Sequence, residues 1–145
     1  MTKLPQVFID SDVFISSLIS QKGAAYFLIH KANLKLFLSN RSVEEIKIVI
    51  KELKLKPKDW TRIISLFSII PLPQTKEKIK NIYGHYVSDI NDSHIIAGAH
   101  QAKVRYLVSY NLKHFKIEEI KRDFKIECLT PAQFLQYLRS VNYLK

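Results

Sequence analysis

Three acidic side chains occur at separate points of the chain where an apolar, strand-like run gives way to a helix. Asp10 ends the first such run, Glu45 follows the second, and Asp92 opens a later helical stretch. Because the carboxyl ends of parallel strands lie along one edge of a sheet, we expect these carboxylates to converge there. Clustered carboxylates repel one another, and a divalent cation offsets that repulsion. The pattern therefore predicts an acidic, metal-binding cluster at a sheet edge.

Asp12 and Asn111 are two further candidates for this cluster. Asp12 can cap the helix that follows it, contact the metal, or do both through a water. Asn111 follows a fourth predicted strand, where its amide can orient a water or contact a phosphate, with a plain turn asparagine as the alternative. We therefore predict one catalytic set and one overlapping ligand set. The catalytic set is Asp10, Glu45, Asp92 and Asn111, and the metal ligands are Asp10, Glu45, Asp92 and Asp12.

Each acid also has an ordinary structural explanation. Asp10 can be a turn residue, and Asp92 can serve only as the N-cap of its helix. Glu44 and Glu45 can both be first-turn acids that the helix dipole favours. Helical periodicity nevertheless separates those two, because Glu45 borders the apolar stripe centred on Ile46 whereas Glu44 faces solvent. Leu53 is expected in that buried stripe.

Other polar residues nearby are assigned structural roles. Asp89 is expected to shape the loop before Asp92 rather than to bind metal. His94, His100 and His114 lack ligand spacing and are expected to be core or surface histidines.

The elements that must position these residues alternate along the chain. Strands are predicted at residues 7–10, 34–38, 69–72, 106–109 and 126–129. Helices are predicted at residues 13–20, 23–33, 42–53, 57–67, 75–86, 93–102 and 131–138, the last capped by Thr130. Strands separated by helices indicate an α/β fold with a mostly parallel sheet covered on both faces. The chain of 145 residues is expected to form a single domain, 1–145.

The charge of the chain suggests a polyanionic partner. The net charge is +10, and setting aside Asp10, Asp12, Glu45 and Asp92 leaves 9 acids against 23 cations, a net charge of +14. An acidic spot on a basic surface suits an enzyme that binds metal and contacts phosphates. A lysine-rich composition typical of the source organism is the alternative explanation.

Cysteine usage and hydropathy bear on the compartment. Cys128 is the only cysteine, which excludes an internal disulfide, and it lies in an apolar strand as a small buried residue. The apolar runs are too short to span a membrane, and the N-terminus lacks a signal-peptide pattern. We therefore expect a cytoplasmic protein with no membrane association.

The ordered motifs of the chain resemble those of the PIN-domain family. The similarity rests on "VFIDSDVFISSL", "LSNRSVEEI", "SDINDSHIIAGAHQAKVRYLVSYNLKHF" and "LTPAQFLQYL", which together cover roughly residues 5–138. The variety that the chain most resembles is the compact prokaryotic, VapC-like one, which includes toxins of toxin–antitoxin pairs. The resemblance implies a three-layer α/β/α fold and a ribonuclease that depends on Mg²⁺ or Mn²⁺.

The resemblance also assigns residues. The first aspartate of the family falls on Asp10, its glutamate on Glu45 and its third acid on Asp92. Two positions depart from the family pattern, because Asp12 replaces the usual asparagine and Asn111 replaces an acid that is often aspartate. These departures leave the position of a second metal open.

We therefore expect hydrolysis of RNA phosphodiester bonds, with single-stranded or looped RNA favoured over duplex. Arg41 and Lys113 are expected to hold the substrate backbone, and Tyr110 is expected to pack internally, with base stacking as the alternative. A cognate antitoxin and a homodimer are possible partners. A DNA-directed nuclease and a non-catalytic module that binds RNA or protein are the rival functions, and Asn111 is the feature that favours the second.

Overall fold

The computed structural model describes residues 3–144 as alternating strands and helices. The strands are β1 (Gln6–Ile9), β2 (Lys35–Ser39), β3 (Phe67–Ile70), β4 (Tyr106–Val108) and β5 (Glu127–Leu129). The helices are α1 (Ser11–Ile19), α2 (Ala24–His30), α3 (Asn40–Glu52), α4 (Pro57–Ile64), α5 (Lys76–Tyr83), α6 (Ser93–Gln101), α7 (Ile117–Phe124) and α8 (Pro131–Ser140). Short 3₁₀ turns lie at Gly84–Tyr86, Ile90–Asp92 and Leu112–His114.

The five described strands form one parallel sheet in the order β3-β2-β1-β4-β5. Val7 of β1 is in register with Leu36 on one side and with Tyr106 on the other. The strand order reverses at β1, because β2 and β3 extend the sheet in one direction and β4 and β5 in the other. In open parallel sheets the carboxyl ends of two such strands flank the crevice in which ligands bind. The fold therefore places the functional crevice between the ends of β1 and β4.

Helices cover both faces of this sheet, which gives the predicted α/β/α layers. One face buries Val7, Ile9 and Leu38 against α1, α2, α3, α4 and α8. The other buries Phe8, Phe37 and Leu107 against α5, α6 and α7. The fold class is confirmed.

The small residues of α6 let that helix lie close against the sheet. A Cβ atom built on Gly98 would stand 2.5 Å from Phe8 Cζ and 3.3 Å from Ser39 Cβ. Phe8 is fully buried in the middle of β1, so a methyl group does not fit at position 98. This contact fixes the distance between α6, which begins just after Asp92, and the strand that ends at Asp10.

Several sequence-based expectations need correction. Helix α7 was not predicted, although Ile117, Ile120 and Phe124 repeat at i, i+3 and i+7. The third strand begins at Phe67 rather than at Ile69, because α4 stops at Ile64.

Two side chains of the site-bearing helices also differ from expectation. Leu53 is exposed, because α3 ends at Glu52 and the chain turns away from the core there. Asp12 is not an N-cap, because α1 begins one residue earlier, at Ser11, with Asp10 in the N-cap position.

Other expectations hold. Thr130 forms a capping box with Gln133 at the start of α8. Cys128 is buried, and burial raises the pKa of its thiol to about 12. None of the helices within residues 3–144 combines the length and apolar character needed to span a bilayer.

Candidate metal and nucleic-acid site

Asp10 lies at the end of β1, facing the end of β4. Its backbone N–H donates to Val108 O at 3.0 Å, which continues the β1–β4 ladder by one residue. Its side chain is 4% exposed, and the Ser109 hydroxyl donates to Asp10 Oδ2 at 2.7 Å. A carboxylate this buried would be costly without hydrogen-bond donors. The Ser109 hydroxyl supplies one, and it fixes the orientation of the carboxylate.

Asp12 stands on the first turn of α1 and reaches across to β4. Its Oδ2 accepts hydrogen bonds from the Tyr110 backbone N–H at 3.1 Å and, more weakly, from Ser109 Oγ at 3.5 Å. Its Oδ1 is buried and has no hydrogen-bond partner within the described part of the chain. A buried oxygen without a donor calls for a ligand that the protein does not itself provide. A cation is one such ligand.

Glu45 is half-exposed on α3, and Glu44 beside it is exposed, as predicted. The Nε2 atom of His94, on α6, contacts Glu45 Oε1, and the Ser11 hydroxyl lies 3.5 Å from Glu45 Oε2. The Ser11 hydroxyl also lies 3.4 Å from Asp10 Oδ1. Ser11 therefore bridges Glu45 to Asp10, in the same way that Ser109 bridges Asp10 to Asp12.

Asp92 stands immediately before α6. It occupies the N-cap position, but its side chain makes no capping hydrogen bond. The N-cap alternative therefore does not explain this carboxylate. Asp89 does cap, because its side chain accepts from the Asn91 backbone N–H at 3.0 Å, which confirms its predicted role in shaping the loop.

Electrostatic coupling links the four carboxylates in pairs. Burial, followed by the charge of Asp12, raises the pKa of Asp10 to about 7, and Glu45 adds to the shift. Burial also raises the pKa of Asp12, with a smaller contribution from Asp92. Burial, followed by the carboxylates of Asp89 and Glu45, raises the pKa of Asp92. All three shifts disfavour the charged forms of these acids when the protein is alone.

The fold thus brings Asp10, Asp12, Glu45 and Asp92 into one electrostatic neighbourhood. Within residues 3–144, however, no three His, Cys, Asp or Glu side chains already stand close enough to form a finished metal site. The donor set is nevertheless all-oxygen and acidic, which suits Mg²⁺ or Mn²⁺. Mg²⁺ keeps several of its waters, so it does not require every carboxylate at direct ligand distance.

A groove of about 380 Å³ opens beside the acids, between α3, α5 and the start of α6. Glu45, Asp92 and His94 are among the residues that line it. Three cations and two exposed isoleucines also line it: Arg41, Lys76, Lys80, Ile48 and Ile90. The groove therefore combines positive charge and apolar surface next to the carboxylates.

A sequence profile described as "PIN domain" matches residues 6–113, which include every predicted site residue. The chain belongs to the PIN domain family. PIN domains are generally nucleases.

Solved structures share the PIN fold of this chain. VapBC2 from Rickettsia felis, bound to a DNA fragment from their promoter, superposes with a TM-score of 0.62 at 16% identity, over 86% of this chain and 98% of that one. PAE2754 from Pyrobaculum aerophilum superposes with a TM-score of 0.59 at 15% identity, over 94% of this chain and 96% of that one. No curated protein matches the chain significantly.

Two residues of this PIN domain site were missed in the sequence. His94 was expected to be an ordinary core or surface histidine, yet it contacts Glu45. Its position two residues after Asp92 on α6 was the available signal. Ser109 ends the run "YLVS" at the same sheet edge as Asp10, and a polar residue at that place could have been recognised.

The remaining predicted residues lie at the rim of the PIN domain site. The Asn111 backbone N–H donates to Ser109 Oγ at 3.0 Å, whereas its side chain is exposed and makes no hydrogen bond with the described residues. Lys113 is exposed next to it. Tyr110 is 47% exposed, so the expectation that it packs internally is wrong. An exposed ring beside the cluster is free to stack on a base.

Proposed function

We propose that this PIN domain is a metal-dependent ribonuclease that hydrolyses RNA phosphodiester bonds. The observation that carries the proposal is the buried Asp10 carboxylate at the crevice between β1 and β4, coupled to Asp12 and Glu45, which are coupled in turn to Asp92. A structural role does not account for this cluster, because burial and the charges of neighbouring acids raise the pKa of three of its members. A site that binds a divalent cation does account for it.

Asp10, Glu45, Asp92 and Asp12 would hold Mg²⁺ or Mn²⁺. When bound, such an ion offsets the negative charge that builds up on a phosphate during hydrolysis and makes water a stronger nucleophile at neutral pH. The protein supplies fixed oxygen donors from α1, α3, the start of α6 and the end of β1. Because these helices pack against the same central sheet, the carboxylates keep their spacing without the ion.

His94, Ser11 and Ser109 act by holding those carboxylates. Ser109 donates to Asp10 at 2.7 Å, and the imidazole of His94 contacts Glu45. Partners of this kind orient metal ligands, and their loss commonly weakens metal affinity or activity by about 10- to 100-fold. We assign them positioning roles, because none of them is required to touch the reacting phosphate.

The groove beside the acids suits a single strand of RNA. Lys76, Lys80 and Arg41 can contact phosphates along it, and Ile48 and Ile90 offer an apolar surface to a base. A duplex keeps its bases stacked inside and cannot present one to this surface. The substrate proposed here is therefore single-stranded or looped RNA.

We also propose that the protein is the toxin of a toxin–antitoxin pair. Its VapC-like motifs, and the fold that it shares with VapBC2 bound to a fragment of promoter DNA, support an antitoxin partner. The same resemblance supports a homodimer. A cytoplasmic location follows from this role.

The test is cleavage of matched substrates. Single-stranded RNA, duplex RNA and single-stranded DNA of one sequence are incubated with the purified protein and Mg²⁺ or Mn²⁺, with and without EDTA. We expect the single-stranded RNA to be cut fastest and EDTA to stop the reaction. Cleavage that persists in EDTA would overturn the metal dependence, and faster cleavage of DNA would identify a DNA-directed nuclease instead. RNA that is bound but never cut, with either metal, would identify a non-catalytic module.

A further inference from the structure

A second cleft lies at the opposite end of the molecule from the acids. It encloses about 590 Å³ between the end of α6, the end of α7 and the start of β4. Helix α6 has nine residues and spans about 13 Å, with Asp92 before its first residue and this distal cleft at its last. The volume lies within the range of about 300–1,000 Å³ that is typical of ligand sites.

The distal cleft is cationic. Lys103, Arg105 and Lys125 line it, and no acidic residue does. Among the described residues, none of these three side chains lies within salt-bridge distance of a carboxylate. Their charge is therefore available to an external anion.

Neighbouring cations on the same side of the protein behave differently. Lys121 lies 3.8 Å from Glu127, and Arg122 Nε lies 2.8 Å from Asp123 Oδ1. These two cations are offset within the protein, whereas the three that line the distal cleft are not.

Aromatic rings form the inner wall of the distal cleft. Tyr83, His100 and Phe124 pack together, with a His100–Phe124 centroid distance of 4.5 Å, and the Tyr83 hydroxyl lies 2.8 Å from His100 Nδ1. His100 is exposed and Phe124 is half-exposed, so both rings present surface to the cleft. Aromatic surface next to unpaired cations suits a nucleic acid, because bases stack on rings while phosphates pair with lysine and arginine.

We propose that the distal cleft is a second binding site for single-stranded RNA, separate from the acidic cluster. The choice of RNA as the ligand rests on the proposed function, because a ribonuclease binds RNA as its substrate. An RNA strand bound there contacts the protein beyond the groove in which it is cut. The cleft therefore adds affinity for the strand without taking part in the hydrolysis.

The backbone supplies a matched set of variants. Lys103 and Lys125 adopt left-handed conformations, with φ of 58° and 60°, and so does Lys54, with φ of 56°, after α3. Lys54 is exposed and lines neither the groove nor the distal cleft. Glycine adopts this conformation without strain, so each Lys→Gly change removes one charge and relieves the same strain. The three variants differ only in the location of the lost lysine charge, which is in the distal cleft for Lys103 and Lys125 and outside it for Lys54.

The experiment measures RNA binding in EDTA, where cleavage does not interfere. A fluorescent single-stranded RNA of about 16 nucleotides, long enough for such sites, is titrated with wild type, Lys103→Gly, Lys125→Gly and Lys54→Gly over a range of salt. Lys103→Gly and Lys125→Gly should each weaken binding about fivefold at 0.1 M salt and lower the log–log salt slope by about 0.7, the loss of one phosphate contact on a single strand. Lys54→Gly should change neither quantity.

Thermal melting separates these effects from misfolding. All three variants should melt at or above the temperature of wild type, so a weaker affinity would not reflect lost structure. Equal losses of RNA affinity for Lys54→Gly and the two cleft variants would mean that only the overall charge of the protein matters. That result would overturn the proposed site. Unchanged affinity for both cleft variants would also overturn it, as would a duplex that binds more tightly than the single strand. A protein that binds RNA in this way but never cuts it would refute the ribonuclease and leave the distal cleft standing.

Discussion

The two ends of the central sheet carry opposite charges and manage them in opposite ways. At the carboxyl ends of β1 and β4, acids are crowded and partly buried, and serine hydroxyls bridge them. At the amino ends of β4 and β5, cations stand in water around an open cleft without acids. Exposed cations cost no desolvation, whereas buried acids do. The acidic end therefore carries a cost in stability that an external cation relieves, and the cationic end carries almost none.

This difference also explains what the net charge of +10 means. The charge is not evenly distributed, because four acids meet at one edge of the sheet and three cations surround an acid-free cleft at the other. Hydrolysis needs the clustered acids, since a reacting phosphate requires ligands that are fixed in place. Binding of a long polyanion needs only cations that are free to pair with its phosphates.

The largest expected effect distinguishes the acidic end from its surroundings. Asp92→Asn should reduce cleavage of single-stranded RNA by at least about 1,000-fold, because it removes a carboxylate from a cluster that acts as a unit. Asp89→Asn is the matched control, since Asn keeps an oxygen that accepts the hydrogen bond from the Asn91 N–H. The control should keep nearly full activity. Single-turnover cleavage rates at saturating Mn²⁺ measure both, and equal rates for Asp92→Asn and wild type would contradict the assignment.

The next effect tests whether the acidic end is costly without metal. The native Asp10 carboxyl keeps its proton up to a pKa of about 7, whereas the unfolded one releases it near 3.8. The native state thus binds more protons between these values, so in EDTA stability should fall as the pH rises through this window. The shift corresponds to at most roughly 4 kcal/mol. Above pH 7, Asp10→Asn should melt at least about 5 °C higher than wild type.

Added metal should reduce or reverse the difference in melting temperature between Asp10→Asn and wild type. Millimolar Mn²⁺ stabilises the native state by mass action, and the variant has lost a ligand. Asp59→Asn changes an exposed aspartate outside the cluster, so it should follow the wild-type pH profile in EDTA. Melting temperatures across pH 4–8, with EDTA and with Mn²⁺, provide the measurement. Identical metal responses in wild type and Asp10→Asn would place Asp10 outside the site.

A third change acts on the helix that connects the two ends. Gly98→Ala would place a Cβ 2.5 Å from Phe8 Cζ, and overpacking of this kind costs about 1–3 kcal/mol. Gly23→Ala is the matched control, because its Cβ meets nothing within 4 Å. Chemical denaturation should show a clear loss of stability for the first variant and little change for the second. Equal stabilities for the two would mean that α6 can move away from the sheet without cost.

The smallest effect concerns the positioning of Glu45. His94→Leu should lower cleavage by about 10- to 100-fold, the range expected when the partner of a metal ligand is removed. His94→Gln keeps a nitrogen donor near Glu45 Oε1 and should recover most of the activity. Added Mn²⁺ should rescue the leucine variant in part, since its metal affinity is what has weakened. A glutamine variant as poor as the leucine one would indicate a role for the ring itself.

Much of this fold could be predicted from the sequence, because its signals are local. Apolar runs marked the strands, and helical periodicity separated the half-exposed Glu45 from the solvent-facing Glu44. The cap that Thr130 provides for the last helix was predicted in the same way. Helix α7 was not predicted, because its three apolar positions lie among charged residues.

The contacts within the site were less accessible, because they join distant segments. Ser109 and Asp10 are 99 residues apart, and no local pattern pairs them. His94 shows no ligand spacing along the chain, because its partner Glu45 lies on another helix. The ends of helices also shift by a residue or two with context, which is how Asp12 came to be assigned a cap that Asp10 occupies.

The Ser109–Asp10 hydrogen bond also bears on when the protein becomes active during synthesis. During synthesis Asp10 precedes Ser109, whose hydroxyl orients this carboxylate, by 99 residues, and β4 forms only after Tyr106–Val108 has been added. Residues 1–104 contain three of the five strands and all four clustered acids, yet they lack one wall of the crevice. A nascent or truncated chain therefore carries the acids without the completed site. For the ribonuclease proposed above, this order of assembly delays the hazard until β4 has been added.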